Sequence, residues 1–279
     1  MGKLLYLWFA VKTVFCTCQP DHRVNDFKKV RSQYKISKIG KLSAEANESS
    51  GLAKVHGKNS FWTNNDSGGK PELYEIDSTG KLLSTRKIID AQNKDWEDLT
   101  TDEKGNVYIG DFGNNSNSRQ DLKVYVVPEN NSRTETISFN YQDQTAFPPP
   151  AKVLNFDCEA FFYHDNFLYL FSKNRGSSKS VRLYKLSSAP GNYSIAATDS
   201  ITIKTQVTSA DISPDGKTFA LLTYGKILLF GIDGKEINFK QPIGCFRFVK
   251  KQSEALIFLN NTDLLVTNEQ KDVFRITYR

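Results

Sequence analysis

Internal repetition limits this chain more than any other feature. Five segments share a short strand, a turn rich in Gly, Asn or Asp, and a longer apolar strand. They read SSGLAKVHGKNSFWTNND from Ser49, WEDLTTDEKGNVYIGD from Trp96, CEAFFYHDNFLYLFSKN from Cys158, SADISPDGKTFALLTYG from Ser209 and SEALIFLNNTDLLVTNE from Ser253. Aligned on one another, they put Leu52, Leu99, Phe161, Ile212 and Leu256 in one column.

A third strand with period-two alternation follows each pair: ELYEID, LKVYVVP, VRLYKL, KILLFGI and DVFRITY. Four units continue into a fourth strand: LLSTRKII, TETISFNY, YSIAATDSITIK and, less clearly, KEINFKQPI. Four antiparallel strands recurring at roughly 40–50 residues are the sequence mark of an all-β propeller. The count predicts five blades, with six as the alternative because GCFRFVKKQ is unassigned. The proline-rich stretch YQDQTAFPPPAKVLNFD reads as a long connection. The fifth unit stops after its third strand, and a spare strand lies at residues 33–42. Closure of the ring by that N-terminal strand is therefore expected. The 19 Phe and 12 Tyr against one Met suit a strand-built core.

The first 18 residues predict a secretory leader: Lys3, then the apolar run Leu4 to Val11, then Cys16 and Cys18. Cys18 is also a candidate lipid-carrying cysteine. This division gives a leader at 1–18, a linker at 19–32 and one propeller domain at 33–279. The product would be exported and periplasmic, outer-membrane-anchored or extracellular, touching a membrane only through a lipid anchor. Without the leader only Cys158 and Cys245 remain, and two free thiols with no disulfide between them are expected. The net charge is +6, but the excess is spread out. Its densest part, around Lys28, Lys29 and Arg31, reads as a solvated edge. No recognition helix or base-stacking motif points to nucleic acid. No phosphate-cradling loop points to a nucleotide cofactor. A monomer is expected.

In such a meander the start of strand one and the end of strand two meet at one face, near the central channel. The first set offers Ser50, Glu97, Glu159, Ala210 and Glu254, with Asp98 and Asp211 beside them. The second offers Asn65, Asp66, Asp111, Lys173, Tyr224, Asn268 and Glu269. Trp96 could stack on a ligand or fill the core between blades. Repeated carboxylates at a channel mouth repel unless a divalent cation, a shared proton or Lys173 neutralises them. Equally, each glutamate could cap backbone N–H groups of the next blade. The histidines, His22, His56 and His164, fall away from this face, which disfavours a zinc site or a histidine triad.

The stretch SPDGK at 213–217 and the run GLAKV through FWTNNDSGGKPELYEIDSTGKLL resemble blades of secreted bacterial propellers of the NHL and gluconolactonase-like kind. That resemblance implies a channel metal, calcium or another divalent cation, with Glu97, Asp111, Glu159 and Glu254 as candidate ligands. Asn65, Asp66, Trp96, Asp98, Lys173, Asp211, Tyr224, Asn268 and Glu269 are then candidates for ligand binding. Two functions fit: a binding protein taking a small molecule or protein at its acidic face, or a metal-dependent hydrolase of a lactone, ester or phosphate.

Overall fold

The computed structural model describes residues 17–234, 236–248 and 252–279; the apolar leader run lies outside them. Five sheets follow one another along the chain. The first blade is Ser49–Lys54, Phe61–Asn65, Glu72–Ile76 and Leu82–Lys87. The second is Trp96–Thr101, Val107–Asp111, Lys123–Val127 and Glu135–Tyr141. The third is Cys158–His164, Phe167–Ser172, Ser180–Ser187 and Ala197–Thr202. The fourth is Val207–Ile212, Thr218–Thr223, Gly225–Gly231 and Pro242–Phe248. The fifth begins Ser253–Phe258, Leu264–Asn268 and Asp272–Tyr278. Each innermost strand packs on the innermost strand of the next blade, and the fifth packs on the first. The fold is a five-bladed propeller, as the repeat predicts.

The fifth blade is completed by Tyr34–Lys41, which pairs antiparallel with Asp272–Tyr278, Ile36 opposite Ile276 and Lys41 opposite Asp272. The expected closure is present. The N-terminal strand covers Asp272–Tyr278 and itself becomes the outer edge of the last blade.

Three boundaries differ from the sequence reading. The fourth strand of the fourth blade is Pro242–Phe248. It includes GCFRF, so the segment that left room for a sixth blade belongs to the fourth. The run YSIAATDSITIK is two strands. Gly191–Ile195 steps out to pair in parallel with Glu135–Tyr141 of the second blade, and Ala197–Thr202 alone finishes the third. The segment 19–32 is not a linker. It holds a short helix, α1, Gln19–Asn25, with Pro20 in its first turn. A two-residue strand, Lys28–Lys29, then adds in parallel to Pro242–Phe248. Phe27 between them is fully buried and meets Phe230 edge-on at 5.0 Å. Both lysines face solvent at this outer edge, as their charge suggests.

Cys18 and Cys245 form a disulfide, and Cys158 is free and buried. Cys158 and Cys245 are unpaired with each other, as expected, but the expectation of two free thiols and no staple is wrong. Cys18 is part of the folded domain, held against the outer strand of the fourth blade. A sulfur held by Cys245 is not free to carry a lipid. Beside the disulfide, Lys226 and Asp21 form an ion pair with both side chains almost fully buried. The core lies between blades and is strongly aromatic. Phe219 stacks on Phe230 at 4.6 Å, and Phe162 and Phe171 of the third blade complete that cluster. Each such ring contributes roughly 1.5–3 kcal/mol by leaving water.

Candidate functional site: an acidic cavity at the channel mouth

Every innermost strand breaks register at its first residues, between Ser49 and Gly51, Trp96 and Leu99, Cys158 and Ala160, Val207 and Ser209, and Ser253 and Ala255. A bulge inserts one extra residue and re-aims its side chain. The bulged positions are Ser50, Glu97, Glu159, Thr208 and Glu254, and all five line one cavity of about 580 Å³. In the fourth blade this position is Thr208, not Ala210. The repeat column is displaced by two residues there, because Thr208 brings no carboxylate to mark it.

The next residues inward are Gly51, Asp98, Ala160, Ser209 and Ala255. Four are small, and one carries a carboxylate. A Cβ on Gly51 would lie 2.6 Å from the Leu99 nitrogen, so this ring has no room for more. Asp98 fills the axis. Its Oδ1 accepts from Leu99 N at 2.9 Å. Its Oδ2 accepts from Ser209 Oγ at 3.0 Å, Ala210 N at 3.3 Å and Phe161 N at 3.4 Å. Ser209 Oγ in turn accepts from Leu256 N. Asp98 thus ties blades two, three and four, and through Ser209 the fifth. It is fully buried, and that burial drives its carboxyl well above the usual range. Asp211 works similarly one step out, with Oδ2 accepting from Phe258 N at 2.7 Å. Neither residue lines the cavity. Both are structural ties, which corrects their assignment to ligand binding.

The wall comes from residues just past strand two. Asp66, Lys173, Tyr224 and Glu269, all candidates from the sequence, line the cavity. The equivalent residue of the second blade is Phe112, which turns into the core against Phe161. Lys173 Nζ sits 2.5 Å from Glu159 Oε2, and Arg175 Nη2 sits 3.0 Å from Glu159 Oε1. Arg175 also binds Asp157. Burial pushes the Glu159 carboxyl up while Lys173 pulls it down, and the same contact raises Lys173. Tyr224 donates to Glu254 Oε1 at 2.7 Å. Burial raises Glu254 against the pull of Lys173 and of that hydrogen bond. Burial, then Glu254 and Asp66, push Glu269 to about 7.

Several predicted residues hold the frame instead. Trp96 is fully buried, with Nε1 donating to Gln92 O at 2.9 Å. Asn65 Nδ2 donates to Glu45 O. Asn268 Oδ1 accepts from Gln270 N and Asp272 N in the turn after its strand. Asp111 accepts from Asp95 N and pairs with Arg119 at 3.1 Å, so it faces that loop and not the cavity. The implied metal set of Glu97, Asp111, Glu159 and Glu254 is therefore not one cluster. Asp111 and Glu159 are held by cations, and Glu254 is bonded to Tyr224. The carboxylates that do converge are Asp66, Asp95 and Glu97, whose oxygens lie within 4.8 Å of one another. Burial, Glu159 and Asp66 drive Glu97 well up, and burial with Asp66 pushes Asp95 to about 6.

Asp95 and Arg175 were missed by the repeat columns, since both sit on connections. Their only sequence signal was adjacency, Asp95 in DWED and Arg175 in SKNRG. Glu48 and Lys271 line the rim from other connections.

No protein family and no curated protein matches this sequence. Among solved structures, the WD40 repeats of RRP9 superpose with a TM-score of 0.47 at 11% identity, covering 83% of this chain and 67% of that one. The chain is a β-propeller. At that distance the likeness carries no argument, the propeller rests on the strand pairing described above, and the NHL and gluconolactonase-like family is not shown.

Proposed function

We propose that the protein is an exported binding protein that takes a small, positively charged ligand in the cavity at its channel mouth. The supporting observation is the charge of the lining. Six carboxylates, Glu48, Asp66, Glu97, Glu159, Glu254 and Glu269, face three cations, Lys173, Arg175 and Lys271. Lys173 and Arg175 are already engaged with Glu159. The surplus of acidic groups favours an organic cation, which would draw the raised carboxyls into their charged form, and the packed Asp98 ring beneath gives the cavity a floor. The disulfide supports export, because such bonds persist in oxidising compartments. A protein partner presenting a basic side chain would use the same chemistry.

The test is calorimetric titration with spermidine, glucose and citrate as cationic, neutral and anionic probes. Spermidine alone is expected to bind, with affinity falling as salt rises. Glu254→Gln with Glu269→Gln should weaken it at least tenfold. Equal binding of citrate, or no binding of spermidine, rejects the reading.

Hydrolysis is a second reading, favoured by Glu269. A carboxyl at about 7 inside a cavity suits a general base. Turnover of aryl esters or lactones with added Ca²⁺ or Mn²⁺, lost in Glu269→Gln, would support it. No turnover under those conditions would leave binding alone.

A further inference from the structure

Two carboxylates of the cavity lining, Asp66 and Glu97, converge with Asp95 where the first and second blades meet. Asp66 follows the second strand of blade one, and Asp95 and Glu97 flank Trp96 at the start of blade two. Their oxygens lie within 4.8 Å of one another. The neighbouring cations are used elsewhere. Lys173 contacts Glu159, and Arg119 contacts Asp111 and Asp121.

Glu97 adds a separate observation. It is 6% exposed and lines the cavity, yet its carboxylate makes no hydrogen bond or ion pair among the described residues. The other buried cavity glutamates have partners: Glu159 has Lys173, and Glu254 has Tyr224. The Glu97 oxygens are not sealed in the core but open on the cavity, toward two more acids.

The surrounding backbone holds this arrangement firmly. A Cβ on Gly113 would sit 2.1 Å from Glu97 Oε1 and 2.5 Å from Asp95 Cγ, so the bare backbone of Gly113 backs both carboxylates. Gly113 N donates to Asp95 O, and Arg119 Nη1 donates to Gly113 O at 2.8 Å. Asn93 Nδ2 donates to Asp66 O at 2.9 Å, which fixes the third acid. Ser67 N uses Asp66 Oδ1 at 2.6 Å, leaving Asp66 Oδ2 for the cluster.

We propose that Asp66, Asp95 and Glu97 seat one divalent cation of the oxygen-preferring kind, calcium foremost. All three donors are carboxylate oxygens with no histidine or thiolate among them, which suits calcium, magnesium or manganese over zinc or copper. Water and the open side of the cavity supply the remaining ligands. The seat shares Asp66 and Glu97 with the cavity lining but takes no oxygen from Glu254 or Glu269, so it does not require the organic cation proposed above.

The test uses the full chain, stripped with EDTA and titrated with CaCl₂ by calorimetry and thermal melting. One Ca²⁺ per chain is expected, with a melting temperature that rises by several degrees, since a ligand of the folded state stabilises it. Glu97→Gln should weaken Ca²⁺ at least tenfold. Gly113→Ala should do so without removing a charge, by displacing both carboxylates. Asp66→Asn, nearer the surface, makes the same test if Glu97→Gln does not fold. Glu254→Gln should keep calcium and lose spermidine, which separates the two proposals. Absence of a response to Ca²⁺, Mg²⁺ and Mn²⁺ in the native protein overturns the seat, as does full calcium binding by Glu97→Gln or Asp66→Asn.

Discussion

Asp98 shows how one residue can serve four blades. Small residues at the equivalent positions of the other blades leave the axis to a single carboxyl, which accepts from donors on three strands. Asp98→Ala should leave these donors unsatisfied and cost about 3 kcal/mol or more in denaturant unfolding, whereas Asp98→Asn keeps an acceptor and should cost about 1 kcal/mol. Asp211 carries a pH signature. Burial raises it to about 7, above the value near 3.9 of an unfolded aspartate. The folded state therefore holds this proton more tightly. The stability it lends is full below about pH 4 and declines as pH rises through about 7. Part of Asp211 meets solvent, so the loss should be only about 1–2 kcal/mol. Asp211→Asn should flatten that part of the stability–pH curve, and an unchanged slope would contradict the assignment. The acidic character of the cavity was legible in the sequence, because Glu97, Glu159 and Glu254 recur at strand starts. Which acids meet which cations was not, since Arg175 and Asp95 lie on connections whose paths the repeat does not fix.

At the scale of elements, the bulge at the head of each innermost strand makes the site. It turns an extra residue into the cavity in every blade, and it explains why Thr208 and not Ala210 stands in the fourth. Alternation alone could not reveal it, because a bulge is a property of pairing. The N-terminal arm has two distinct roles. Tyr34–Lys41 supplies a full strand, while α1 and Lys28–Lys29 strap the outside of blade four. Removing residues 1–41 should lower the melting temperature further than removing residues 1–30, which already loses the disulfide and the Asp21–Lys226 pair, because only the longer deletion uncovers the backbone of Asp272–Tyr278. Equal melting of the two would show that the closing strand is dispensable. Asp21→Ala should cost about 3–5 kcal/mol despite its remote position, since it leaves the buried Lys226 ammonium alone. This strap was illegible beforehand, because its contacts join residues more than two hundred positions apart.

For the whole molecule, the ring was readable because each blade is a local unit repeated five times, and the missing fourth strand at the C-terminus announced its donor at the N-terminus. The disulfide was hidden by the assumption that Cys18 leaves with the leader. Its position has a consequence for the chain as a connected path. From Cys18 the backbone runs through the closing strand and blades one to three, then returns to Cys245 in the outer strand of blade four. A single protease cut anywhere on that path, for example at the exposed Asn130 turn, leaves both products joined by sulfur. Such a nicked protein should migrate as one species without reductant and as two with it. A cut beyond Cys245 behaves differently: it frees the three inner strands of blade five, which then stay in place only by packing and hydrogen bonds and should separate in denaturant even with the disulfide intact.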